Sequence, residues 1–425
     1  MNSDYASVYT HYSPQSADRS QFPNWLQYGL LLCMAWLSLF TMSNLVLSLH
    51  HIPTVVAICV ALFIILSDKG SLTRSQVVVG LVGLPLMIST IASGDREGAL
   101  FCWSYPATII AFIAIGARRS VRPQTFIWYF FVVVLPEFIL SKYWFGPIVK
   151  NDSAFISEAD TSGYVPTVLP LPENGWHLHI GPWGETYHYS ASVGLVLGAV
   201  CLVRYLRTRR TFYVWLLSFS VYLVVFSGTR TSYLGLAIMA VLFLLNRTRR
   251  RVVSSWLTII AFLFILYGAD VARSFIPRVD SEAVNSLLRQ NMSDVTSGRQ
   301  WLWSYHFNKL REYPLTGIGL SNTRFRIGTV IEGERTRASN ESFYTQILAA
   351  FGYFGFCLTA IHIYLITMIL RNGNLLRIML AGLIVVGTAG ASWFGVIYVP
   401  VTFFVLAYVC CGLDSHQEGG SVPQY

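Results

Sequence analysis

FYVWLLSFSVYLVVFSGTRTSYLGLAIMAVLFLL, residues Phe212 to Leu245, is a nearly continuous apolar stretch whose one charge, Arg230, sits near its centre. A helix crosses the hydrocarbon core of a bilayer with about 20 apolar residues. The stretch is too long for one crossing and reads as two helices meeting at the turn Gly228-Thr229-Arg230-Thr231-Ser232. A charge at that depth is costly and usually functional.

Comparable runs recur near 25–48, 52–67, 76–93, 98–116, 125–145, 188–206, 211–227, 231–246, 252–269, 342–370, 378–394 and 395–411. The second is short, and the last two are divided mainly by Trp393 to Gly395, so the count is about twelve with eleven still open. Of the 425 residues 54% are hydrophobic and 12% charged, and the mean hydropathy is +0.52. That composition excludes an ordinary soluble fold. The expected class is an all-α integral membrane protein of about twelve transmembrane helices.

Basic residues gather on the inner side of short connections. Under the twelve-span count Lys69 and Arg74, Arg118, Arg119 and Arg122, Arg204, Arg207, Arg209 and Arg210, Arg247 and Arg249 to Arg251, and Arg371 and Arg377 all fall on one side. This predicts a cytoplasmic tail at 1–24, helices 1–5 over 25–145, an outer loop at 146–187 and helices 6–9 over 188–269. A large outer loop at 270–341, helices 10–12 over 342–411 and a second cytoplasmic tail at 412–425 complete the expected layout.

The net charge of +9 is mostly this inner anchor set, and no nucleic-acid motif accompanies it. All seven cysteines fall in predicted spans, where they act as small apolar residues, and no disulfide framework or zinc spacing is visible. The first 20 or so residues lack the basic region and cleavage site of a signal peptide and read as a disordered tail, with the first span a retained helix.

The chemistry is expected in the outer loops. Residues 270–341 carry ten basic residues, Arg299, Arg324 and Arg326 among them, against seven acids before Glu341. Within them Gln300 to Glu312 predicts a helix, capped by Thr296 or Ser297 and stopped by Pro314, with Trp303, Phe307 and Leu310 on one face in the lipid interface. Arg299 then stands at a helix start, where free backbone N–H groups favour phosphate. Pairing with an acid or lipid headgroups is the plainer reading for Arg299, as snorkelling is for Arg230. Glu341, at the outer boundary of the tenth span, reads either as a desolvated proton acceptor or as a charge complementing the helix dipole. Glu137, beside Pro136, reads as a structural or pathway charge. In the first outer loop Trp176, His177, His179, Trp183, Glu185 and His188 combine aromatic faces suited to sugar rings with polar contacts. His177-Leu178-His179 lacks a third metal ligand at a convincing spacing, so no metal and no cofactor are expected.

The layout resembles the O-antigen polymerase and O-antigen ligase superfamily. The resemblance is carried mainly between residues 180 and 360 by Ser227-Gly228-Thr229-Arg230-Thr231-Ser232, then Ser297-Gly298-Arg299 followed by Trp301 and Leu302. Pro314-Leu315-Thr316-Gly317-Ile318-Gly319 and the segment from Glu341 to Gly355 complete it. It implies a multi-pass protein of the bacterial inner membrane, acting at the periplasmic face on a polyprenyl-diphosphate-linked oligosaccharide in the bilayer. A chain-length regulator and a flippase of the same pathway are the implied protein partners, and nucleic acid is not one. Arg230 and Arg299 would hold the leaving diphosphate without a metal, and Glu341 would take the acceptor proton. Arg324, Arg326, Trp176, Trp183 and His188 would bind substrate.

Ligases of this group commonly carry His-Asn where Glu341-Ser342 stands here. His306 and His362 do not replace that histidine by sequence position. This departure favours a polymerase joining repeat units, with transfer to lipid A-core by a ligase as the alternative and a flippase or transporter the reading from another class.

Overall fold

The computed structural model describes residues 25–40, 51–67, 72–118, 120–144, 149–151, 176–178, 187–227, 230–247, 299–320, 330–331, 334–335, 343–372, 374–389, 400–411 and 413. These form α1 (Trp25–Phe40), α2 (Ile52–Ser67), α3 (Arg74–Ser93), α4 (Arg96–Arg118), α5 (Gln124–Tyr129), α6 (Leu135–Trp144), α7 (Tyr187–Thr208), α8 (Phe212–Ser227) and α9 (Arg230–Arg247). After them come α10 (Arg299–Glu312), α11 (Phe343–Phe351), α12 (Phe356–Asn372), α13 (Leu375–Ala389) and α14 (Pro400–Cys410). Two small antiparallel ladders pair β1 (Val149–Asn151) with β2 (Trp176–Leu178) and β3 (Val330–Ile331) with β4 (Glu334–Arg335). The described residues are almost entirely helical.

Local chemistry sets many of the helix limits. Thr73 and Gln76 form a reciprocal capping box at the start of α3, and Gly94 at φ +66° ends it. Between α5 and α6 a π-helical turn spans Phe130–Val134. Leu135 N–H reaches back to Phe130 O there, and Pro136 follows with no N–H to give. The second expected span and the run at 211–227 are observed as α2 and α8. The run at 252–269 lies outside the described residues.

Among the described residues, four helical stretches are long and apolar enough to cross a membrane: Arg74–Ser93, Gly98–Gly116, Tyr189–Thr208 and Thr345–Leu370. The third is the centre of the bundle, for Tyr189 through Cys201 are all buried. α7 packs antiparallel on α8 at Gly194 and Gly198, where a Cβ on Gly194 would stand 2.8 Å from Ser220 O. Small residues at four-residue spacing let backbones approach this closely. Other faces turn large apolar side chains outward, Phe63, Leu66 and Trp215 among them, with Trp215 77% exposed. Such a surface suits lipid rather than water.

Buried polar groups tie the helices together. Ser38, Tyr129 and Tyr189 link α1, α5 and α7 through two hydroxyl contacts of 2.6 Å. Tyr105 meets His362 Nε2 at 2.6 Å between α4 and α12. Glu137 is buried in α6.

The expected tenth span is not one helix. It breaks into α11 and α12 at a 3₁₀ turn over Gly352–Gly355, where Gly352 takes φ +61°. The cause is a contact from another part of the chain.

Candidate functional site

α10 leads into the segment Pro314–Leu320, and every second step of that segment is fixed by a distant partner. Tyr313 N–H still bonds back to Lys309 O at 2.9 Å, and Gly317 N–H closes a turn onto Tyr313 O at 3.0 Å. Ile318 and Gly319 N–H then donate to Ala349 O and Ala350 O, both at 2.9 Å. These are carbonyls of the last turn of α11, which a helix end leaves without intrahelical donors. In return Tyr353 N–H donates to Pro314 O at 2.7 Å. Ser89 Oγ on α3 reaches both Thr316 O and Phe351 O at 3.2 Å.

This docking explains the glycines. Gly317 has φ +64°, and a Cβ there would stand 2.2 Å from Ala350 O. On Gly352 it would stand 2.3 Å from Pro314 O. Gly317→Ala is therefore expected to undock the segment, at a cost of about 2 kcal/mol or more. Thermal unfolding in detergent together with amide exchange over 314–320 would measure it. An unchanged midpoint with unchanged protection would count against the docking.

α10 and α11 run side by side in the same direction, since His306 in the middle of α10 meets Thr345 near the start of α11 and Pro314 meets Tyr353 beyond their ends. His306 Nδ1 and Thr345 Oγ1 are 2.9 Å apart, and His306 is only 1% exposed. Leu310 is buried one turn later, while Phe307 is only partly covered. The covered edge of the loop helix thus runs through His306 and Leu310. An imidazole with a hydroxyl partner can be buried where periodicity counts it as polar.

Burial depresses the His306 pKa from 6.5 to about 4. Between those values the unfolded chain binds a proton that the folded one refuses, so stability is full above pH 6.5 and falls as pH drops toward 4. The expected loss is roughly 3 kcal/mol at most. It would appear as acid-induced opening of α10 from α11, and His306→Gln should flatten the pH dependence over that window. An identical acid profile in the variant would dismiss His306 as its source.

The structure treats the expected site residues unequally. Arg299 is the first residue of α10, and Phe343 opens α11 at the same end of the pair. Arg230 is the first residue of α9, which packs on α7 and on α13, and α13 also touches α11. His188 is the second residue of α7. Because α7 and α8 are antiparallel, His188 stands at the end of the pair where α8 gives way to Arg230. Trp176 opens β2, a strand that touches both α7 and α8. Glu341, Arg324, Arg326 and Trp183 lie outside the described residues.

Two residues that sequence reading passed over belong to this region. His306 does not align in sequence with the ligase histidine, yet its partner Thr345 is four positions after Glu341. Asp95, in the α3–α4 turn, accepts a hydrogen bond from Leu320 N–H. The signal for it was a charged Gly94-Asp95-Arg96-Glu97-Gly98 turn between two apolar runs.

Residues 214–360 match the family model described as O-antigen ligase. That match supports the O-antigen polymerase and ligase superfamily that the sequence motifs resemble. The match takes in α8, α9, α10, α11 and the start of α12, and with them the arginine turn, the loop helix and the docked glycine segment. No curated protein and no solved structure matches the chain. Members of this superfamily are glycosyltransferase-like enzymes, and apolar helices together with the family make this a membrane protein.

Proposed function

We propose that this protein is a polysaccharide polymerase of that superfamily, joining polyprenyl-diphosphate-linked repeat units at the periplasmic face of the bacterial inner membrane. The observation that carries the reading is the docked segment itself. It binds the loop helix begun by Arg299 to the last turn of α11, inside the stretch that matches the family.

In the proposed reaction the hydroxyl of an acceptor saccharide attacks the anomeric carbon of the donor glycan. The bond from that carbon to the diphosphate oxygen breaks, and the electron pair leaves with the lipid diphosphate. Arg230 and Arg299 hold the leaving group by forked, charge-assisted hydrogen bonds, which need no metal. Glu341 takes the acceptor proton. Direct displacement with Glu341 as the base implies inversion at the anomeric carbon. Trp176, Trp183 and His188, with Arg324 and Arg326, contact the sugars and the charged carrier.

The description of the matching family as a ligase supports transfer to lipid A-core as the second reading. Glutamate at position 341, where ligases commonly carry histidine, favours the polymerase. Incubation of the pure protein with one defined diphosphate-lipid oligosaccharide and no other acceptor separates them. A ladder of lengthening products is expected, and product formed only after lipid A-core is added would establish the ligase instead.

A further inference from the structure

A three-residue turn, Arg209-Arg210-Thr211, joins α7 to α8. Tyr189–Thr208 is long and apolar enough to cross a membrane, and α8 is a shorter apolar helix packed antiparallel on it. The turn therefore closes a membrane-crossing hairpin, at the depth where lipid headgroups lie.

Arg207, Arg209 and Arg210 are all exposed there. No Asp or Glu occurs in the sequence between Glu185 and Asp270, so the hairpin brings no acid of its own to neutralise them. Arg207, in the last turn of α7, also complements the negative end of that helix. Arg209 is placed against backbone preference. Its φ is +56°, and among the described residues it is the only one other than glycine in the left-handed region. Its N–H bonds back to Tyr205 O at 2.8 Å, ending α7 at a position where glycine is the favoured residue. Its guanidinium lies 5.7 Å from the centre of the Tyr205 ring, which holds the charge beside the helix end. Arg204 lies over the Tyr213 ring at 5.8 Å and braces α7 against α8.

The first turn of α8 supplies an apolar side. Phe212 is 48% exposed, and Trp215, three positions on and so on the same face, is 77% exposed. The Phe212 ring also stacks on Phe131, 6.0 Å between centres, which fixes its place. Three guanidiniums set beside exposed aromatic side chains match a ligand with an anionic phosphate head and an apolar tail.

We propose that the α7–α8 turn binds an anionic phospholipid of the adjoining leaflet, with Arg207, Arg209 and Arg210 on the phosphate and Phe212 and Trp215 along the acyl chains. A zwitterionic lipid would bring its own cation against the same arginines, so charge selects the anionic one. The inward bias of basic residues accounts for charge at this end of the hairpin. It does not account for an arginine in a left-handed conformation. The inference stands apart from the glycan-transfer reading and holds whichever reaction the protein performs.

Trp215 can report the binding directly. The test uses the full-length protein in neutral detergent, titrated with phosphatidylglycerol or phosphatidylcholine whose acyl chains are brominated to quench tryptophan. The Trp215 signal is the difference between the unaltered protein and Trp215→Phe. Phosphatidylglycerol is expected to half-quench Trp215 at a concentration about a hundredfold below that of phosphatidylcholine, as each arginine near an anionic lipid contributes about fivefold. Arg209→Gly should raise the phosphatidylglycerol value about fivefold and leave the phosphatidylcholine value unchanged. Glycine adopts that φ without strain, so this variant should fold at least as well as the unaltered protein. Arg207→Gln combined with Arg210→Gln should raise the phosphatidylglycerol value about 25-fold. Equal quenching by the two lipids would overturn the site. So would a phosphatidylglycerol value that neither the glycine variant nor the double variant moves. Displacement of phosphatidylglycerol by inorganic phosphate at an equal concentration would overturn the lipid as occupant in favour of a soluble anion.

Discussion

Arg299→Ala and Arg230→Ala are each expected to lower glycan transfer by about two to three orders of magnitude, the usual cost of removing one preorganised donor from a developing anion. Both residues are the first of their helices, α10 and α9. A helix start adds free backbone N–H groups and the positive end of the helix dipole to whatever charge the side chain supplies. Lysine would restore the charge without the planar two-point fork, so Arg→Lys should recover only a small part of the activity. The measurement is polymer length in cells that express each variant at the level of the unaltered protein, with insertion checked by labelling of a cysteine introduced into an outer loop. Normal chain lengths from either alanine variant would remove that arginine from the diphosphate site. Labelling that placed positions 230 and 299 on the cytoplasmic side would remove both.

Glu341→Gln should lower kcat by about 10²-fold or more, within the range for loss of a positioned general base, and leave donor affinity nearly unchanged. Glutamine keeps the shape and an acceptor oxygen but cannot take the proton. In a purified assay the loss should therefore appear in turnover and be absent from the donor KM. A variant that turned over normally would leave Glu341 as a helix-end charge and send the search for a base elsewhere. His306 contacts Thr345, four positions after Glu341, but burial holds its pKa at about 4. A base so weak at neutral pH makes a poor substitute.

Much of the helical frame was legible because its causes are local. The run expected at 52–67 is α2, that at 211–227 starts one residue later as α8, and that at 231–246 extends by one residue at each end as α9. In each case an uninterrupted apolar run sets the length, and a turn residue or a basic cluster sets the limit. The arginine turn and the loop helix were legible for the same reason, as Arg230 and Arg299 interrupt patterns visible within a few positions.

The break at Gly352 was not legible. From Phe343 to Asn372 the sequence has the hydropathy of one long helix, and glycines in such helices are common. What breaks it is Pro314 O, which accepts from Tyr353 N–H and would collide with any Cβ on Gly352. The burial of His306 was hidden likewise, since only the arrival of Thr345 from another helix makes that position tolerable for an imidazole.

The sequence by itself determined that this chain is a bundle of apolar helices, where the interior charges fall along it, and which superfamily its motifs resemble, because bilayer-length runs and short motifs are properties of neighbouring residues. Tertiary structure alone decided that the glycine segment is docked between α11 and the α3–α4 turn, and that Asp95 belongs to the same assembly. Those contacts join groups far apart in sequence, by as much as 225 positions between Asp95 and Leu320, and a backbone hydrogen bond leaves no trace in the identity of the residue that makes it.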